Sequence, residues 1–195
     1  IVDSSDIQKT RDAVTDYRIH MESEGLARPS DPSIAETDTI IPGLPNAPDI
    51  KIRIYTPNNL PSPAPAYINF HGGGFIFGDL DSEHARTLAI SKGCQAIAIT
   101  VDYRLAPEHP YPAAIDDCYA SLIWLVNNAE NIGIDTSRIV VGGGSAGGNL
   151  AASVALMARD KHGPSICYQM LIYPALDDRA NTQSMLDGKN TYVIT

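Results

Sequence analysis

The run Val140-Val141-Gly142-Gly143-Gly144-Ser145-Ala146-Gly147-Gly148-Asn149-Leu150 decides how this chain is read. Its first residues are apolar and β-branched, as in a buried strand. The sequence after Ser145 is Ala-rich and suits a helix. Gly143-x-Ser145-x-Gly147 therefore stands at a strand-to-helix turn. Such a turn holds a serine in a strained conformation and exposes its Oγ at the edge of a sheet. Small neighbours are needed so that strand and helix can approach, and Gly143, Ala146, Gly147 and Gly148 provide them. The same letters allow a second reading. Gly142-x-Gly144-x-x-Gly147 matches the dinucleotide-binding fingerprint, also placed between strand and helix. A Walker A loop is excluded, because Gly148 and Asn149 stand where Lys and Ser/Thr are required.

Outward from this run, apolar strands alternate with helical patterns. Strands are expected at 66–70, 96–101, 139–141 and 166–173, and helices at 82–92, 112–129 and 146–162. This predicts an α/β fold with a mostly parallel sheet and helices on both faces. Upstream, 35–41 and 50–55 read as strands, and 57–65 as a Pro-rich turn. A helix is expected over 5–24. Ser5-x-x-Gln8 resembles a capping box, Ile7, Val14, Tyr17 and Met21 follow at helical spacing, and Gly25 can end the helix. A linker at 29–33 follows it.

The bulk properties exclude several classes. The chain has 195 residues, 44% of them hydrophobic and 19% charged, an ordinary globular balance. The net charge is -9 and no Lys/Arg cluster occurs, which argues against nucleic acid and anionic membranes as partners. No apolar stretch reaches the roughly 18 residues of a membrane span. Cys94, Cys118 and Cys167 form no C-x-x-C and give no disulfide framework. Each lies in an apolar context and is expected to be a buried thiol. A reducing, cytoplasmic compartment fits. The five histidines show no zinc spacing, so no metal is expected.

His71-Gly72-Gly73-Gly74-Phe75 separates the two readings of the Ser145 run. Three consecutive glycines leave backbone N–H groups unshielded and allow unusual φ/ψ. Acyl transfer needs such donors where negative charge develops on the carbonyl oxygen, each worth roughly 10²–10³ in rate. A dinucleotide fold has no use for a second triple-glycine loop upstream. Nor does an acidic residue close the next strand, which ends at Tyr173-Pro174. Ser145 is therefore read as a nucleophile.

Three segments together carry a family resemblance. They are His71 to Phe75, Asp102-Tyr103-Arg104-Leu105-Ala106-Pro107-Glu108-His109-Pro110-Tyr111-Pro112-Ala113-Ala114, and Gly144-Ser145-Ala146-Gly147-Gly148-Asn149-Leu150. The chain resembles the hormone-sensitive-lipase-like esterases, a branch of the α/β-hydrolases, over about residues 50–175. The resemblance implies an α/β-hydrolase fold and a carboxylic-ester hydrolase acting on short- to medium-chain esters without a cofactor. Ser145 would be the nucleophile. The oxyanion hole would use the N–H groups of Gly73, Gly74 and Ala146. His71 and Gly72 would brace the glycine loop. Asp102, Arg104 and Glu108 would be structural, the last two fixing a loop by ion pairing and hydrogen bonds. Phe75 and Phe77 line the acyl or alcohol pocket on one reading and pack in the core on the other. The family usually has Asp where this chain has Gly144. Residues 1–45 would be an N-terminal cap helix and linker, 46–180 an incomplete hydrolase core, and 181–195 the start of a second cap segment.

A serine needs a base and a carboxylate to orient it, in the chain order Ser, Asp/Glu, His. His162, the last histidine, sits on the helix after Ser145 and is expected to face solvent. His20, His84 and His109 have no catalytic context. Asp177 or Asp178 can in principle supply the acid, although a solvated loop is the plainer reading. By the resemblance, the acid and histidine are expected beyond residue 195. The chain is then the N-terminal two-thirds of such an enzyme, completed by a C-terminal segment or a companion chain. Self-association into a homo-oligomer is left open. A non-catalytic, small-molecule-binding member of the same fold is the alternative, since the plant gibberellin receptor resembles these enzymes yet lacks the catalytic histidine.

Overall fold

The computed structural model describes residues 6–24, 28–179 and 181–187. They fall into two compact units: Pro29–Pro174 in one, and the described parts of Ile1–Arg28 and Ala175–Thr195 in the other.

The larger unit carries a six-stranded sheet. Its strands are β1 (Ile34–Ile41), β2 (Ile50–Pro57), β3 (Ala64–Phe70), β4 (Ile97–Asp102), β5 (Ile134–Gly144) and β6 (Tyr168–Ile172), in the order β1-β2-β4-β3-β5-β6. β1 pairs antiparallel with β2, and β2 antiparallel with β4. The pairs β3–β4, β3–β5 and β5–β6 are parallel. The parallel part follows from the connections, because each crossover contains a helix. These are α2 (His84–Cys94), α3 (Ala113–Asn127) with the short α4 (Ala129–Ile132), and α5 (Ala146–Asp160).

Strand alternation divides the core between the two faces. Ile52, Ile68, Phe70, Ile99, Val101, Ile139 and Val141 point to one side and meet Leu122 and Leu125 of α3 and Leu150 and Val154 of α5. Tyr55, Tyr67 and Ala98 point to the other side and meet Leu88 of α2. Each fully buried Ile, Leu or Val contributes about 1.5–3 kcal/mol over leaving it exposed. The α/β-hydrolase architecture expected from the sequence is present, with helices on both faces. Several elements differ at their ends. β5 begins at Ile134 rather than 139, and α5 stops at Asp160, with Lys161 and His162 in a turn beyond it. His162 is exposed, as expected.

The cysteine expectation needs correcting. Cys118 is buried, but Cys94 and Cys167 are exposed. Cys94 is the last residue of α2, on the solvent side of its final turn among exposed Lys92, Gly93 and Gln95. Cys167 precedes β6, a strand with a neighbour on one side only among the described residues. Apolar sequence neighbours do not guarantee burial at an element's end.

The smaller unit contains α1 (Ile7–Ser23) and α6 (Gln183–Asp187). Asp6 caps α1, its Oδ1 accepting the Lys9 N–H at 2.9 Å. Ser5 and Gly25, expected to bound this helix, lie outside the described residues, as do 188–195 of the expected second cap segment.

Candidate active site

Ser145 joins β5 to α5 with φ 54 and ψ −118. A non-glycine residue in such a region costs on the order of 1–3 kcal/mol and persists only where its surroundings hold it. Two hydrogen bonds do so: Ser145 N–H donates to Ile172 O at 2.9 Å, and Asn149 N–H to Ser145 O at 3.1 Å. Close backbone contact does the rest. A Cβ on Gly143 would lie 2.2 Å from Phe70 O, and one on Gly147 1.9 Å from the same atom. The glycines flanking Ser145 are thus required by the end of β3, which explains the G-x-S-x-G pattern in terms of space. Within Pro29–Pro174, the Ser145 hydroxyl has no hydrogen-bond partner among the described residues.

The glycine loop leaves β3 where the serine turn leaves β5. The two strands are parallel neighbours, with Phe70 opposite Gly143. Both turns therefore emerge side by side at the carboxyl edge of the sheet, the usual place for a site in such folds. Gly73 and Gly74 have φ +119 and +59, a region that favours glycine. Gly73 O accepts the N–H groups of Ile76 and Phe77 at 3.0 and 3.1 Å, which curls the loop. Among the described residues, the N–H groups of Gly73, Gly74 and Ala146 donate no hydrogen bond. For Ala146 this follows from its place at the first helical position, where no intrahelical acceptor exists.

His71 is fully buried. Its ring stacks on Tyr103 at 4.1 Å, and Nδ1 lies 2.7 Å from Gly72 O. A carbonyl can only accept, so Nδ1 carries the proton. Tyr103 OH donates to His71 O at 2.7 Å. Burial pushes the imidazole below its usual range, and the hydrogen bond to Gly72 opposes this only in part. A neutral, stacked ring bonded to Gly72 O holds the start of the glycine loop.

Arg104 is held by Asp117 of α3. Nη2 and Nε reach Oδ1 and Oδ2 at 2.7 and 2.9 Å, and the Arg104 N–H adds a further bond to Oδ2 at 2.9 Å. Asp117 is 1% exposed, and its pairing, with α3 locked to the loop after β4, raises the Arg104 pKa. Sequence reasoning missed Asp117. The available signal was a carboxylate beside Cys118 and Tyr119 on an otherwise apolar helix face. Asp102 ends β4 half-buried, its carboxyl pushed up by burial and by nearby Asp79. Glu108 is exposed on the loop that follows Arg104.

A cavity of 370 Å³ opens beside Gly74. Its lining includes Phe75, His109, Tyr111, Ile115, Leu150 and Ser153. Phe75 thus lines this cavity and also packs against the core, whereas Phe77 is partly buried and not in the lining. A larger hollow of 610 Å³ includes Arg159, His162 and Cys167, at the end of α5 remote from Ser145. Among the described residues, no group of three or more His, Cys, Asp or Glu is placed to hold a metal ion. No helix there is long and apolar enough to cross a membrane.

Comparison with known proteins bears on this geometry. A family model described as alpha/beta hydrolase fold matches residues 67–195. Carboxylesterase NlhH of Mycobacterium tuberculosis is 49% identical over 126 residues, covering 65% of this chain and 40% of that protein. Esterase LipI of the same organism is 46% identical over 150 residues, covering 76% of this chain and 46% of its own length. The structure of a bacterial heroin esterase superposes with a TM-score of 0.87 at 39% identity, covering 95% of this chain and 57% of that one. An esterase of Pyrobaculum calidifontis gives 0.78 at 36% identity, covering 87% and 53%. The chain spans about half the length of the curated relatives it matches.

Proposed function

We propose, because this chain belongs to the alpha/beta hydrolase fold family and to its hormone-sensitive-lipase-like branch, that it hydrolyses carboxylic esters through Ser145. The observation that carries the reading is the register of β3 and β5. Phe70 lies opposite Gly143, and this pairing sets a strained serine beside a loop of unshielded N–H groups.

In this mechanism Ser145 Oγ attacks the ester carbonyl while a base takes its proton. The carbonyl oxygen becomes an oxyanion and accepts hydrogen bonds from Gly73, Gly74 and Ala146. The tetrahedral intermediate collapses, the C–O bond to the alcohol breaks, and the base returns the proton to the leaving alkoxide. Water then attacks the acyl-enzyme by the same route and releases the acid. No cofactor takes part. The base is a histidine oriented by a carboxylate, both supplied from C-terminal to Thr195, in keeping with the order Ser, acid, His. Residues 1–195 by themselves would then keep only the roughly 10³–10⁴ over water that donors and binding supply without a complete triad.

The substrates are short- to medium-chain esters, with one side of the ester entering the cavity beside Gly74. Its size and its Phe75, Ile115 and Leu150 lining suit a small apolar group. The relatives' names, carboxylesterase and esterase, support esters as substrates. The α1 segment would belong to a cap, as the family resemblance implies. The test is hydrolysis of p-nitrophenyl acetate, butyrate and hexanoate by the intact protein and by Ser145→Ala. The reading requires turnover that the substitution abolishes.

A further inference from the structure

Glu83 stands at the N-cap of α2, where a short side chain ordinarily accepts a hydrogen bond from the helix's own first turn. It makes no such bond. Its carbonyl serves the helix, accepting Thr87 N–H at 2.9 Å and Thr87 Oγ1–H at 3.0 Å. Its carboxylate turns the other way, and Oε1 accepts the N–H of Gly72 at 3.1 Å. The same oxygen pairs with Arg86 Nη2. Tyr173 OH borders the same spot beside Gly144 as Arg86 Nη2. The three side chains close on the residue before Ser145. A Cβ on Gly144 would lie 3.1 Å from Arg86 Nη2 and 3.2 Å from both Glu83 Oε1 and Tyr173 OH. One carboxylate oxygen thus borders the residue before Gly73 and the residue before Ser145.

Packing alone does not select this arrangement. The Glu83 side chain is 10% exposed. Among the described residues, its Oε2 and the Nε of Arg86 are buried without a hydrogen-bond partner. Buried polar atoms left unsatisfied are uncommon and destabilising. A carboxylate diverted from its own helix and half-satisfied beside a reacting centre breaks local rules in the way functional sites do. Its mounting is firm, because α2 buries Thr87, Leu88 and Ser91 and packs on β2 and β4.

We infer that Glu83 is a positioning residue: through the Gly72 N–H it holds the glycine loop, and with it the oxyanion donors, against the Ser145 turn. Arg86 pairs with the carboxylate and fixes it in place. The inference rests on the proposed ester-hydrolase reading. Its energetic lever is geometric, since misplacing a catalytic group by about 1 Å can cost about 10²-fold.

The test measures kcat and KM for Glu83→Ala, Glu83→Gln and Glu83→Asp in the intact protein, with active sites counted by phosphonate titration. Inhibition by a trifluoromethyl ketone, whose adduct with serine places an oxyanion on the donors, is measured alongside. Glu83→Ala is expected to lower kcat about 10–100-fold per titrated site, up to the lower end of what outright loss of an oxyanion donor costs, with KM nearly unchanged. Ketone affinity falls by a similar factor. Glu83→Gln keeps an acceptor for Gly72 and restores most of both. Glu83→Asp withdraws the carboxylate by one methylene and lowers both, which gives a reading even if the Ala variant does not fold. Wild-type kcat per titrated site and unchanged ketone affinity in the Ala or Asp variant, with thermal stability alone reduced, would overturn the inference. A wild-type protein that neither turns over esters nor takes the phosphonate would overturn the ester-hydrolase reading and this inference with it.

Discussion

Gly147, in the first turn of α5, lies so close to the carbonyl oxygen of Phe70 at the end of β3 that a Cβ would sit 1.9 Å from it. Gly143 meets the same oxygen from the other side of Ser145, at 2.2 Å. The serine turn is therefore placed against the glycine loop by backbone contact, with no side chain able to intervene. The geometry proposed for catalysis is a packing consequence of the sheet.

Gly147→Ala should then damage the site and the fold together. Overpacking of this kind costs about 1–3 kcal/mol, and the contact here is with backbone that cannot swing aside. Urea unfolding should show a lower midpoint, and ester turnover should fall at least tenfold. A variant with wild-type midpoint and turnover would show that the close approach is not needed.

The strain at Ser145 gives a second expectation. Ser145→Gly removes the side chain from a φ of 54 that glycine accepts readily. Relief of strain should stabilise the protein by about 1 kcal/mol while abolishing turnover. Ser145→Ala should lose turnover without that gain, because it keeps the Cβ. Thermal melting of the two variants beside wild type separates them, and equal melting temperatures for both would argue against strain.

How far this site was legible in sequence depended on the range of each interaction. Ser145, Gly143 and Gly147 were readable because a strand-to-helix turn is local and admits few residues. Gly72 to Gly74 were readable for the same reason. Asp117 and Glu83 were not, because each acts on a loop distant in sequence. Asp117 meets Arg104 across the gap between β4 and α3, and Glu83 reaches back to Gly72. β1 and β2 were visible as strands, but the antiparallel pairing of β2 onto β4 is set by tertiary contact. Cys94 and Cys167 misled because neighbours in sequence do not report which side of an element's end faces solvent.

His71 should make stability depend on pH. Its folded pKa lies below the ordinary 6.5, chiefly through burial. Above that value the ring is neutral in both states and its contribution is complete. As pH falls below it, the unfolded chain binds a proton that the native ring refuses, so stability declines until the folded pKa is passed. Melting temperatures measured between about pH 7.5 and 5.5 should fall more steeply for wild type than for His71→Asn. The variant is expected to be less stable at the upper end because it loses the stack on Tyr103. Parallel slopes would remove His71 from this role.

The cavity beside Gly74 should set acyl or alcohol size. Ser153 lines it from α5, and Ser153→Leu would fill part of the 370 Å³. Turnover of hexanoate relative to acetate esters should drop about tenfold or more, since a methylene or two is worth roughly that in discrimination. An unchanged ratio of kcat/KM across the series would place substrate elsewhere.

Covalent labelling tests the nucleophilic role of Ser145 most directly. The intact protein should be treated with an activated alkyl phosphonate and the modified peptide identified by mass spectrometry. One stoichiometric adduct is expected on Ser145, lost in Ser145→Ala together with ester turnover. An unlabelled Ser145 in a protein that still hydrolyses esters, or turnover that survives Ser145→Ala, would contradict that role.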